Sequence, residues 1–180
     1  METNNFKILI VDDEPDILEI ISYTLKSEGY FVYTAENGDK AIKLAKKIKP
    51  NLIILDVMMP EMDGIEACEI IRSDSEIGNT LIAFLSARGE DYSQVAGFNA
   101  GADDYITKPL KPKLLKSKIK SLLRRISQDE GEVIKIGSLI IDRSGYKVTL
   151  NGKDISLPRK EFELLFLLGS KPGKVFKREF

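Results

Sequence analysis

Short apolar runs alternate with stretches of helical period along the first two thirds of the chain. Lys7–Val11 (KILIV), Asn51–Leu55 (NLIIL) and Leu81–Leu85 (LIAFL) read as strands without a polar face. Tyr30–Thr34 and Asp104–Thr107 add two β-rich segments. Between them, Pro15–Glu28 carries Ile17, Leu18, Ile21 and Leu25 at helical spacing, with Pro15 suited to a first turn and Gly29 as the stop. Gly38–Ile48, Ile65–Arg72 and Lys113–Arg125 are further helices, and Asp91–Asn99 a weaker one. Strands apolar throughout and separated by helices predict a parallel sheet covered on both faces. Five such βα units make one doubly wound α/β domain.

The pattern changes after Ser127–Glu132 (SQDEGE), which holds no apolar residue and reads as a linker. Val133–Ile136, Leu139–Asp142 and Lys147–Leu150 are short strands, with turns at Gly137, Ser144-Gly145 and Asn151-Gly152. They predict an antiparallel meander, followed by a helix over Pro158–Leu168. The expected organisation is a domain over 1–126, a linker over 127–132 and a second unit over 133–180. Charge supports the division: residues 133–180 hold ten basic and five acidic residues, and residues 1–132 hold seventeen basic and twenty-three acidic ones. The whole chain carries a net charge of −1, which gives no sign of a nucleic-acid binder.

Cys68 is a lone cysteine, so no disulfide within the chain is possible, which fits a reducing cytoplasm. The polar start from Met1 to Lys7 does not resemble a signal peptide, and no apolar run approaches the ~20 residues of a membrane span. The chain has no histidine, so any histidine chemistry has to come from a partner.

Polar groups follow directly on the apolar strands. Asp12 and Asp13 follow KILIV, Asp56 follows NLIIL, Ser86 follows LIAFL, and Lys108 follows the strand at Tyr105–Ile106. In a parallel sheet these positions share the carboxyl edge, where open α/β sheets bind ligands. Three carboxylates held close raise one another's pKa, and an oxygen-only divalent site, best suited to Mg²⁺, relieves the repulsion. A carboxylate can attack phosphorus and form an acyl phosphate, with a metal ion and an ammonium neutralising the phosphoryl oxygens.

VDDE at Val11–Glu14, LDVMMPEMDG at Leu55–Gly64, LSA at Leu85–Ala87 and GADDYITKP at Gly101–Pro109 resemble the receiver domain of two-component response regulators. The resemblance implies a flavodoxin-like sheet of order 2-1-3-4-5. It implies that Asp56 accepts a phosphoryl group from a histidine kinase. Asp13, Asp56 and the backbone carbonyl of Met58 match direct Mg²⁺ ligands, and Asp12 matches a ligand acting through water. Ser86 matches the switch hydroxyl, Lys108 the phosphate-contacting lysine and Tyr105 the switch aromatic. The Lys108–Pro109 peptide is expected to be cis. Phosphorylation would promote a homodimer through about residues 90–125. A departure lies in that face, where the family's acidic residue and arginine are replaced by Leu114 and Lys118.

The meander followed by LPRKEFELLFLLGSKPGKVFKREF is similar to the start of the winged-helix effector of the OmpR/PhoB class. The recognition helix and wing hairpin would follow Phe180, so residues 133–180 are expected to be the N-terminal part of a DNA-binding unit. The implied function is a phosphorylation-controlled transcriptional regulator: a signalling protein, with no enzymatic turnover of an external substrate. DNA binding by residues 1–180 themselves is doubtful on this reading, because a helix-turn-helix reads bases through its second helix. A receiver acting through protein contacts alone is the alternative. A phosphohydrolase with an aspartyl-phosphate intermediate is a rival enzyme reading, but such enzymes usually carry a second acid where this chain has Met58.

Overall fold

The computed structural model describes residues 5–86, 100–127, 133–143 and 146–175. The chain divides into two compact units, Met1–Arg124 and Arg125–Phe180. The first is built from β1 (Lys7–Val11), α1 (Pro15–Lys26), β2 (Phe31–Ala35), α2 (Gly38–Ile48), β3 (Leu52–Asp56), α3 (Gly64–Ser73), β4 (Leu81–Ser86) and β5 (Asp104–Thr107), and leads into α4 (Pro112–Ser127). The helix expected over Asp91–Asn99 lies outside the described residues, as do residues 128–132 of the expected linker.

The five strands form a parallel sheet in the order β2-β1-β3-β4-β5, the doubly wound, flavodoxin-like arrangement expected from the sequence. β3 and β4 are buried at every residue, which is why they lack a polar face. Leu9, Val11, Ile53, Leu55, Ile82 and Phe84 pack with Ala41 and Ala45 of α2 and Ala67, Cys68 and Ile71 of α3. The alternate residues Ile8, Ile10 and Ile54 point to the opposite face and are fully buried, as are Ile21 and Leu25 of α1 and Ile119 of α4. Small alanines on α2 and α3 let these helices lie close against the branched strand residues.

Local capping fixes where the helices begin. The Asn37 side chain accepts from Lys40 N at 2.9 Å and Asp63 accepts from Glu66 N at 2.8 Å, so α2 and α3 are each capped by a side chain. α1 begins differently: Pro15 occupies its first turn, and the N-cap residue Glu14 makes no side-chain cap bond.

Arg72, near the end of α3, ties this helix to the far end of the sheet. Its guanidinium donates to the carbonyls of Gly101, Gly78 and Thr80 and to Asp103 Oδ2, at 2.7–2.9 Å. Asp103 Oδ2 also accepts from Ile82 N at 2.8 Å, so one network sets both the start of β4 and the turn leading into β5.

The second unit is a four-stranded antiparallel sheet of β6 (Val133–Ile136), β7 (Leu139–Asp142), β8 (Lys147–Leu150) and β9 (Lys153–Ile155), followed by α5 (Arg159–Ser170). Ile141, Val148, Phe162 and Phe166 form its core. The apolar pattern predicts a meander that ends at Leu150, one strand short. β9 escaped it because two of its three residues are charged and all three are exposed.

Replacing Arg72 with alanine removes one partner of a mostly buried ion pair and leaves Asp103 without its guanidinium. The expected loss of stability is about 3 kcal/mol. Urea unfolding of Arg72→Ala checks this, and a loss under about 1 kcal/mol would contradict the structural weight given to the network.

Candidate functional site

Strand register brings the polar residues together. β1 and β3 are neighbours with Val11 opposite Leu55, so Asp12, just past β1, lies beside Asp56 at the end of β3. This junction is where the strand order reverses, β1 having β2 on one side and β3 on the other. Ser86 closes β4 opposite Thr107, and Lys108 N donates to Ser86 O at 2.8 Å.

Asp12 is fully buried and Asp56 is 5% exposed. Lys108 Nζ lies 3.0 Å from Asp12 Oδ2 and 3.0 Å from Asp56 Oδ1. A third carboxylate reaches the same ammonium: Glu14 Oε1 accepts from Nζ at 3.2 Å. Asp13 is exposed beside them. Asp12, Asp13 and Asp56 can each offer one oxygen within 4.8 Å of the others. A cluster of carboxylates without nitrogen or sulfur donors suits a hard divalent cation.

The Ser86 hydroxyl is buried and has no hydrogen-bond partner among the described residues. Tyr105 is buried with its ring centroid 5.6 Å from that of Phe84, inside the core. The Met58 side chain is exposed. The Lys108–Pro109 peptide is cis. Lys118 is engaged within its own unit, 2.9 Å from Asp104 Oδ1.

Two residues matter here beyond the site residues expected from the sequence. Gly64 opens α3 directly against β3: a methyl group on it would sit 2.0 Å from the Asp56 carbonyl oxygen. Only a residue without a side chain lets the Asp56 loop turn this tightly into the helix. Glu14 is the other, and its position next to the Asp12–Asp13 pair was the available signal.

Burial pushes the Asp56 carboxyl up to about 6, despite the hydrogen bond and charge of Lys108, with Asp12 and Asp13 pushing the same way. Burial disfavours the Lys108 ammonium, yet its bonds to Asp12 and Asp56 outweigh this and hold its pKa well above the ordinary lysine value.

A response regulator receiver domain model matches residues 8–120. The chain belongs to the response regulators of two-component systems. It is 38% identical to the DNA-binding response regulator MtrA of Mycolicibacterium smegmatis over 99% of this chain and 77% of that protein. It is 42% identical to the transcriptional regulatory protein ResD of Bacillus subtilis, over 99% of this chain and 76% of that protein. Among solved structures, the response regulator DrrB of Thermotoga maritima, described as an OmpR/PhoB homologue, matches with a TM-score of 0.59 and 37% identity, covering 97% of this chain and 76% of that one. The chemotaxis response regulator CheY4 of Vibrio cholerae matches with a TM-score of 0.63 and 33% identity, over 66% of this chain and 99% of that one. Among the described residues of this response regulator, no helix is long and apolar enough to cross a membrane.

The raised pKa of Asp56 makes a prediction for stability. With a folded value near 6 and an ordinary unfolded value, the folded state binds more protons between about pH 4 and 6, so stability falls as pH rises through that window. In EDTA, Asp56→Asn is therefore expected to be more stable than wild type by about 1–3 kcal/mol at pH 7.5, with the difference shrinking at pH 4. Urea titrations at the two pH values check this, and a gap that does not depend on pH would contradict it.

Proposed function

We propose that Asp56 accepts a phosphoryl group from a phosphohistidine of a partner histidine kinase, and that the resulting state controls dimerisation and transcription. The observation that carries this reading is the convergence of Asp12, Asp13, Asp56 and Lys108 at the switch point of the sheet. The lack of histidine in residues 1–180 fits a donor on a partner protein.

In the proposed step an Asp56 carboxylate oxygen attacks phosphorus. An O–P bond forms as the P–N bond to the partner's imidazole breaks, and the imidazole leaves. Lys108, 3.0 Å from Asp56 Oδ1, is placed to follow the negative charge from the carboxylate onto the phosphoryl oxygens. Asp12, Asp13 and Asp56, with the Met58 carbonyl, would hold Mg²⁺, which when bound supplies charge neutralisation of the carboxylates and the phosphoryl group. Ser86 would donate to a phosphoryl oxygen, a role supported by its buried hydroxyl having no partner among the described residues. A shift of Ser86 would couple to Tyr105 through neighbouring strands and bias the surface of about residues 90–125 towards pairing. Leu114 stands exposed on α4 within that surface.

We assign residues 1–126 to the receiver, 127–132 to a linker and 133–180 to the N-terminal part of a winged-helix unit. The names of the relatives support a DNA-directed output, MtrA being called a DNA-binding response regulator. Intact mass after incubation with acetyl phosphate and Mg²⁺ tests the chemistry. Wild type is expected to gain one phosphoryl group and Asp56→Asn none. An equal adduct on both would remove Asp56 from the role.

A further inference from the structure

We propose that Glu14 is a selectivity residue: it holds Lys108 from the solvent side and disfavours small, doubly charged phosphodonors over donors delivered by a protein surface. The inference rests on Asp56 being the phosphoacceptor.

Glu14 stands at the N-cap of α1, a position whose side chain ordinarily accepts a hydrogen bond from the first turn of the helix. It makes no such bond. Its backbone N–H donates to Asp12 Oδ1 at 2.9 Å, which fixes the main chain, and its carboxylate turns to Lys108 Nζ at 3.2 Å. The side chain is 62% exposed, so the carboxylate sits at the mouth of the site and not in its floor.

Charge decides what this does. Asp12, Asp13 and Asp56 are balanced by Lys108 together with a divalent cation. Glu14 adds a fourth carboxylate with no described cation of its own besides the shared Lys108, and leaves the loaded site with one negative charge in excess. An approaching phosphoryl dianion meets that charge. A donor on a protein surface can bring compensating cations to the mouth, whereas a small free dianion cannot. Because the carboxylate is exposed, its effect is moderate and screened by salt.

The test compares Glu14→Gln with wild type using acetyl phosphate, mostly a dianion at neutral pH, and phosphoramidate, mostly a monoanion, each with Mg²⁺. Glutamine keeps the shape of the side chain, and its backbone bond to Asp12 is unaffected. The rate of Asp56 phosphorylation by acetyl phosphate, relative to that by phosphoramidate, is expected to rise about three- to tenfold in low salt and to return towards the wild-type ratio in high salt. An unchanged ratio, or an equal change with both donors, overturns the proposal. A second readout needs no phosphoryl transfer: in metal-free protein, the ¹⁵N resonance of the Lys108 ammonium is expected to move in Glu14→Gln. An unmoved resonance means that Glu14 does not hold Lys108, and it overturns the proposal as well. Absence of an adduct on wild type with either donor sinks the phosphoacceptor reading, and with it the donor selectivity inferred from it.

Discussion

Two buried carboxylates, Asp12 and Asp56, face one another across the β1–β3 junction, and the Lys108 ammonium lies 3.0 Å from an oxygen of each. Burying two like charges is costly unless a cation shares the space. That constraint explains why three separate strand ends have to arrive at one place. β1 and β3 deliver the acids, and β5 delivers the lysine from the far side of β4. The register of the whole central sheet is thus tied to the electrostatics of its carboxyl edge. The raised pKa of Asp56 shows that one lysine does not fully compensate, which leaves the site poised for a further cation.

The remaining structure serves that placement. Gly64 allows α3 to begin against the Asp56 carbonyl, so the loop after β3 stays tight. Arg72 binds the turn before β5 to the ends of α3 and β4, at the opposite edge of the sheet from the acids. With β5 held there, Lys108 emerges at the height of Ser86, and its backbone bonds the Ser86 carbonyl. Stability at one edge and geometry at the other are therefore joined through a four-residue strand.

The doubly wound sheet was legible because β1, β3 and β4 are buried on both faces along their apolar stretches, with polar residues only at their ends, Lys7, Asp56 and Ser86. The acidic edge was legible for a related reason: a charge directly after an apolar strand has one available direction. Glu14 was not legible as a partner of Lys108, because ninety-four positions separate them and only the packed sheet brings them together. The role of Gly64 was partly hidden for the same reason, since a turn glycine and a glycine pressed on a strand carbonyl look identical in sequence. β9 was hidden by its charges, which sit harmlessly on an exposed edge. The functional class was legible in the motifs from Val11 to Pro109, and the receiver domain match over residues 8–120 agrees with it.

The most direct test of the central claim is a crystal structure with Mg²⁺ and beryllofluoride, whose tetrahedral shape mimics a bound phosphoryl group. The account expects beryllium bonded to an Asp56 carboxylate oxygen, the cation beside Asp13, and Lys108 drawn from Asp12 onto the fluorines. Beryllium on another carboxylate, or Lys108 still bridging Asp12 and Asp56 with beryllium bound, would contradict it.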